Sequence, residues 1–86
     1  MVDGADMTFD YARNAVVEDM NDLFFVYNGV NCGLEINGNL LDFELFYGEE
    51  ILSVKGDFDT AVGIPFFGGR SIVEIFDQIA DSVHFV

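Results

Sequence analysis

Basic residues are nearly missing from this chain: Arg13, Lys55 and Arg70 stand against sixteen Asp and Glu, giving a net charge of −13 over 86 residues. That balance disfavours contact with nucleic-acid phosphates or anionic lipid, and self-repulsion on this scale costs stability at low salt. A charged partner is therefore expected to be basic. Tryptophan is absent and proline occurs once. Cys32 is the one cysteine, so no disulfide can form within the chain and cysteine usage marks no redox compartment. No apolar run approaches the ~18 residues of a membrane span. The start, MVDGADMTFD, is acidic and leads into no apolar segment of the kind a secretory signal needs. A soluble, cytoplasmic protein is the expectation.

What is abundant is apolar and aromatic: 51% of residues are hydrophobic and 15% are Phe or Tyr. Disorder goes with scarce aromatics, so the chain is expected to fold despite its charge. Residues 1–86 suit one domain, burying roughly 60–65% of the surface its unfolded chain exposes.

Residues 8–21 read as a helix, with Thr8 as N-cap, Asp10 in the first turn, and Phe9, Ala12, Val16 and Met20 at helical spacing. Alternating apolar segments over 23–54 then read as a four-stranded antiparallel meander. Asn28-Gly29 suits a two-residue type I′ turn that sets Tyr27 opposite Val30, Phe25 opposite Cys32 and Leu23 opposite Leu34. The same treatment of Asn37-Gly38 sets Leu34 opposite Leu41, Cys32 opposite Phe43 and Val30 opposite Leu45. Gly48-Glu49, glycine first as type II′ prefers, sets Leu45 opposite Leu52 and Phe43 opposite Val54. The three turns agree on one apolar face, and a one-residue slip at any of them would break that agreement.

Beyond Gly56, DFDTAV fits a single helical turn capped by Asp57, and GIPFFGG is a loop. Ser71 with Glu74 has capping-box spacing, and Ile72, Ile75, Phe76 and Ile79 form the apolar stripe of a C-terminal helix. The tail, SVHFV, has the composition of a short edge strand. The predicted fold is α+β: an N-terminal helix, a four-stranded antiparallel meander, a C-terminal helix packed on one sheet face, and a short C-terminal edge strand.

Catalysis needs convergent groups, and the usual agents are solitary. Cys32 and His84 could be written as a pair, but the register places Cys32 mid-strand on the core side as an inert thiol. Asp57-Phe58-Asp59-Thr60 meets only the start of a calcium loop, and Gly68-Gly69-Arg70-Ser71 lacks a phosphate-binding pattern. Neither motif marks a metal or a cofactor.

The outward sheet face is mixed. It is expected to display Phe24, Val26, Leu40 and Phe46 among the acids Glu35, Asp42 and Glu44, the anatomy of a protein-binding patch unless another element or a second subunit covers it. Glu74, Asp77 and Asp81 fall at i, i+3 and i+7 on one exposed helix face. Asp42 and Glu44, two apart on a strand, stand roughly 6.5–7 Å apart, close to the separation of successive phosphates on one nucleic-acid strand. In size, charge and order of elements the chain resembles the small acidic antagonist proteins of phages and mobile elements, among them DNA mimics and inhibitors of CRISPR nucleases. The resemblance implies a non-enzymatic protein that binds a basic, nucleic-acid-binding partner; no residue is carried over. Two readings stand beside it: a homodimeric structural protein joined through the apolar outer face, and, third, a small enzyme.

Overall fold

The computed structural model describes residues 7–86; the acidic start, residues 1–6, lies outside the described residues. Thr8 opens helix α1 (Phe9–Val17) by accepting a hydrogen bond from the Tyr11 amide. The helix stops sooner than its apolar spacing suggests. Met20 turns left-handed (φ 58°), and the Met20 and Asn21 amides close back on the Val16 and Ala15 carbonyls at 3.1 Å. Met20 therefore leaves the apolar stripe and is exposed, while Ala12, Ala15 and Val16 are buried.

Strands β1 (Leu23–Tyr27), β2 (Val30–Ile36), β3 (Asp42–Tyr47) and β4 (Glu50–Lys55) form the meander, and β5 (His84–Phe85) adds to β1, giving the order β4-β3-β2-β1-β5. The first turn is as expected, with Asn28 and Gly29 both at positive φ and Leu23, Phe25 and Tyr27 facing Leu34, Cys32 and Val30. So is the third, with positive φ at Gly48 and Leu45 facing Leu52.

The second connection corrects the expected register. It is not a two-residue turn at Asn37-Gly38 but a longer loop, residues 37–41, closed by the Asn37 amide on the Asp42 carbonyl (2.9 Å) and braced by Leu41 donating to Asn39 Oδ1 (2.8 Å). Leu34 consequently faces Leu45 rather than Leu41, and Cys32 faces Tyr47 rather than Phe43. The displacement is an even number of residues, so every side chain keeps its face. Leu40 and Leu41 are the exceptions. Both leave the sheet for the loop: Leu40 packs against the core instead of standing on the outer face, and Leu41, expected on the core face opposite Leu34, is 66% exposed.

Asp57 caps α2 (Phe58–Val62), and Ser71 caps α3 (Ile72–Ile79) through a complete capping box, Ser71 N to Glu74 Oε1 at 3.0 Å and Glu74 N to Ser71 Oγ at 3.2 Å. Between them Gly68 and Gly69, at positive φ, reverse the chain so that Phe67 and Arg70 pair. The helices cover one sheet face, where Phe25, Leu34, Phe43 and Leu45 meet Val16, Phe58, Ile75 and Phe76 in a single core. Aromatic contacts join the helices, Phe9 meeting Phe58 at 6.0 Å and Phe76 at 5.5 Å, and tie the sheet to its cover, Phe43 meeting Phe58 at 6.4 Å and Phe25 meeting Phe67 at 5.3 Å. Each fully buried ring among them contributes on the order of 1.5–3 kcal/mol, and the half-buried Phe9 less.

Candidate interaction surface

With the helices on one side, strand alternation turns the opposite residues outward. They form rows across the strands. In the longest row His84, Phe24, Gly33, Phe46 and Ile51 are successive cross-strand partners. Glycine is required within it: a Cβ on Gly33 would lie 2.5 Å from the Phe46 ring and 2.7 Å from the Leu23 carbonyl oxygen. The Phe46 ring lies over this gap and meets Phe24 at 5.6 Å, and His84 stacks on the other side of Phe24 at 5.6 Å. Phe24 and Phe46 are thus half-buried by each other, whereas Val26 and Ile51 remain exposed at 42% and 66%.

The next row is acidic. Glu35 stands directly opposite Glu44, and Ser53 follows on β4. Neither glutamate is in an ion pair among the described residues. Gly33 and Glu35 are two apart on one strand, so the acidic and aromatic rows run roughly 7 Å from each other. Asp42, one further row along, is spoken for: Lys55 Nζ lies 2.6 Å from its Oδ2, and that ammonium holds the Asp42 carboxyl below the usual carboxylate range.

The helical acids are elsewhere. Glu74 serves the capping box, and Asp77 and Asp81 are exposed, Asp81 in a short 3-10 turn (Ala80–Ser82) beyond α3. Glu74 and Asp77 lie on α3, which packs on the covered face of the sheet, and Asp81 lies in the turn beside the β1 edge; none of them is on the strands that carry Glu35 and Glu44. Of the expected site residues, then, Phe24, Val26, Phe46, Glu35 and Glu44 share one surface; Asp42 is on it but neutralised. His84, Ile51 and the Gly33 gap complete it. Sequence spacing could not find the Glu35–Glu44 pair, because the two-residue turn placed Glu35 opposite Leu40.

Cys32 points into the core, 1% exposed, with Sγ donating to the Val30 carbonyl at 3.3 Å. Burial pushes its thiol above the ordinary range, so the nucleophilic thiolate is disfavoured. His84 faces the other side of the sheet, stacked on Phe24. Among the described residues, open clefts include one of about 230 Å³ beside Arg13, Leu40 and Phe58 and one of about 270 Å³ beside Phe24, Phe46 and His84. Both fall short of the roughly 300–1,000 Å³ of small-ligand pockets. Among the described residues no three His, Cys, Asp or Glu gather as metal ligands, and no helix is long and apolar enough to cross a membrane. Comparisons of the chain with protein-family models, curated proteins and solved structures found no match.

Proposed function

We propose that the protein is a non-enzymatic interaction module that binds a basic protein surface through the outer face of its sheet. The observation that carries this reading is the Glu35–Glu44 pair, two unneutralised carboxylates in register beside an aromatic row. A cationic partner surface relieves their repulsion while its apolar parts dehydrate the row, the combination of charged rim and apolar centre that interfaces use. Mimicry of nucleic acid is the sharper form of this reading. The net charge of −13 favours it. The division of the acids between the outer sheet face and the helical side weighs against one continuous phosphate-like array, so the proposal rests on the sheet alone.

The second reading, a homodimer through the same face, is favoured by the exposure of Val26 and Ile51. Its cost is electrostatic, since face-to-face stacking of two copies would bring four glutamates together. The test is capture from an extract of the native host on immobilised protein at low and at high salt, with Glu35→Gln/Glu44→Gln as control. A basic protein retained at low salt, released at high salt and lost with the double variant is expected. Retention of a partner without basic surface, or binding indifferent to salt and to the two glutamates, would sink the reading. Sedimentation of the free chain and of Phe24→Ser/Phe46→Ser separates out the homodimer.

A further inference from the structure

The two edges of the sheet are treated differently. In an antiparallel strand alternate residues direct their amides and carbonyls to opposite sides. On β1, Asp22, Phe24 and Val26 direct theirs away from β2, and each is satisfied. Asp22 exchanges two hydrogen bonds with Val86 (2.8 and 3.0 Å), Phe24 pairs with His84, and the Ser82 hydroxyl accepts from the Val26 amide (2.9 Å) and shares its one proton between the carbonyls of Val26 (3.3 Å) and Ile79 (2.9 Å).

On β4 nothing comparable occurs. The ladder to β3 continues through the Gly56 amide on the Leu41 carbonyl (2.9 Å), which leaves Ile51, Ser53 and Lys55 directing their backbone groups outward. Among the described residues β4 pairs only with β3. Val54 is buried in the core, but the strand bares an apolar side chain on each face, Ile51 at 66% and Leu52 at 37% exposed. The usual protections of a free edge are proline, a bulge, an inward charge or an edge lysine. Here Lys55 sits at the end of the strand and is held by Asp42.

We infer that the edge of β4 accepts an extended, basic segment of a partner protein as a sixth strand. The charge around the edge selects the occupant: Glu49 and Glu50 open the strand, and Glu44 lies behind the small side chain of Ser53. A Lys or Arg placed beside Ser53 on the added strand can reach over it to Glu44, the nearer member of the Glu35–Glu44 pair, across about two strand spacings of 4.8 Å. Apolar residues at the alternate positions lie beside Leu52 on the other face. Backbone hydrogen bonds supply affinity and the alternation supplies selection, as in other strand additions. The inference rests on the basic partner proposed above and gives it a place and a conformation.

The probe is a nine-residue capped peptide alternating lysine and valine, beside its glutamate–valine analogue and a version N-methylated on the amides of one strand edge. The lysine peptide is expected to bind at low salt and weaken as salt rises, and the glutamate analogue not to bind. N-methylation should weaken binding about tenfold or more, since each lost hydrogen bond is worth a sizeable part of a decade. The amides of Ile51, Ser53 and Lys55 should gain protection from hydrogen exchange on binding. Ser53→Pro, whose lost amide points outward and which an edge strand tolerates, should abolish binding. Equal binding of the N-methylated peptide overturns the inference while leaving a charge-selective outer face; that comparison uses the unaltered protein and holds even if Ser53→Pro fails to fold. Capture of a basic host protein undiminished by Ser53→Pro overturns it too. Self-association that Ser53→Pro removes would make a second copy the occupant and overturn the basic partner.

Discussion

Glu35 and Glu44 are hydrogen-bonded cross-strand partners on the outer sheet face, so their side chains rise side by side with no cation paired to either among the described residues. Such like-charge pairs destabilise a sheet. Their presence in a chain with three basic residues places an unrelieved cost on the face that also carries the aromatic row.

Replacing Glu44 with Gln should therefore raise the thermal midpoint at low salt by about 1–5 °C, from the size of cross-strand charge terms in a domain this small. The gap should close near 1 M NaCl, where the screening length falls to about 3 Å. A midpoint unchanged at low salt would show that something already neutralises the pair.

Gly33→Ala puts a methyl where the Phe46 ring and the Leu23 carbonyl stand at 2.5 and 2.7 Å. Overpacking of this kind costs about 1–3 kcal/mol. Urea unfolding measures it. Removing the ring in Gly33→Ala/Phe46→Ala should recover only part of the loss, because the carbonyl remains; full recovery would mean that the backbone approach is slack.

Ser71 is buried and makes both halves of the α3 capping box. Ser71→Ala should cost about 1 kcal/mol, or about 4–8 °C in the midpoint. Glu74→Gln retains an acceptor for the Ser71 amide and should cost much less. Equal losses from the two changes would assign the effect to charge at the helix start.

Two carboxyls titrate below the ordinary range: Asp57, held down chiefly by the Thr60 amide, and Asp42, held down chiefly by Lys55. A lowered folded value means stability that is fully present above the ordinary value of about 3.9 and lost as pH falls through the folded one. Asp57→Ala should melt a few degrees below the unaltered protein by a constant margin from about pH 7 to pH 5. The margin should narrow below about pH 4. A margin that grows on acidification would reverse the sign and remove Asp57 from the cap.

The elements and their inward faces were legible because they are local. Thr8, Asp57 and Ser71 announce helix starts through one or two hydrogen bonds each, and Asn28-Gly29 and Gly48-Glu49 set hairpins by backbone preference. The end of α1 was not legible, since Met20 adopts a left-handed conformation that its side chain does not favour. Nor was the β2–β3 register. Asn37-Gly38 has the form of a tight turn, but the Asn39 side chain brackets Leu41 and Leu40 gains more by packing on the core than by standing on the sheet.

By itself the sequence determined which strand residues face inward, because alternation fixes each strand up to an even displacement, and it set the net charge of −13. Only the tertiary structure decided which residues meet across strands. Even displacements are degenerate in pattern and are separated by loop closure and packing alone. That choice put Glu35 against Glu44 instead of Leu40 and seated the Phe46 ring over Gly33. Docking of the C-terminal tail then closed the β1 edge with Ser82, His84 and Val86, and left β4 open at the other end. These contacts join residues as far apart as Asp22 and Val86, and no local preference encodes them.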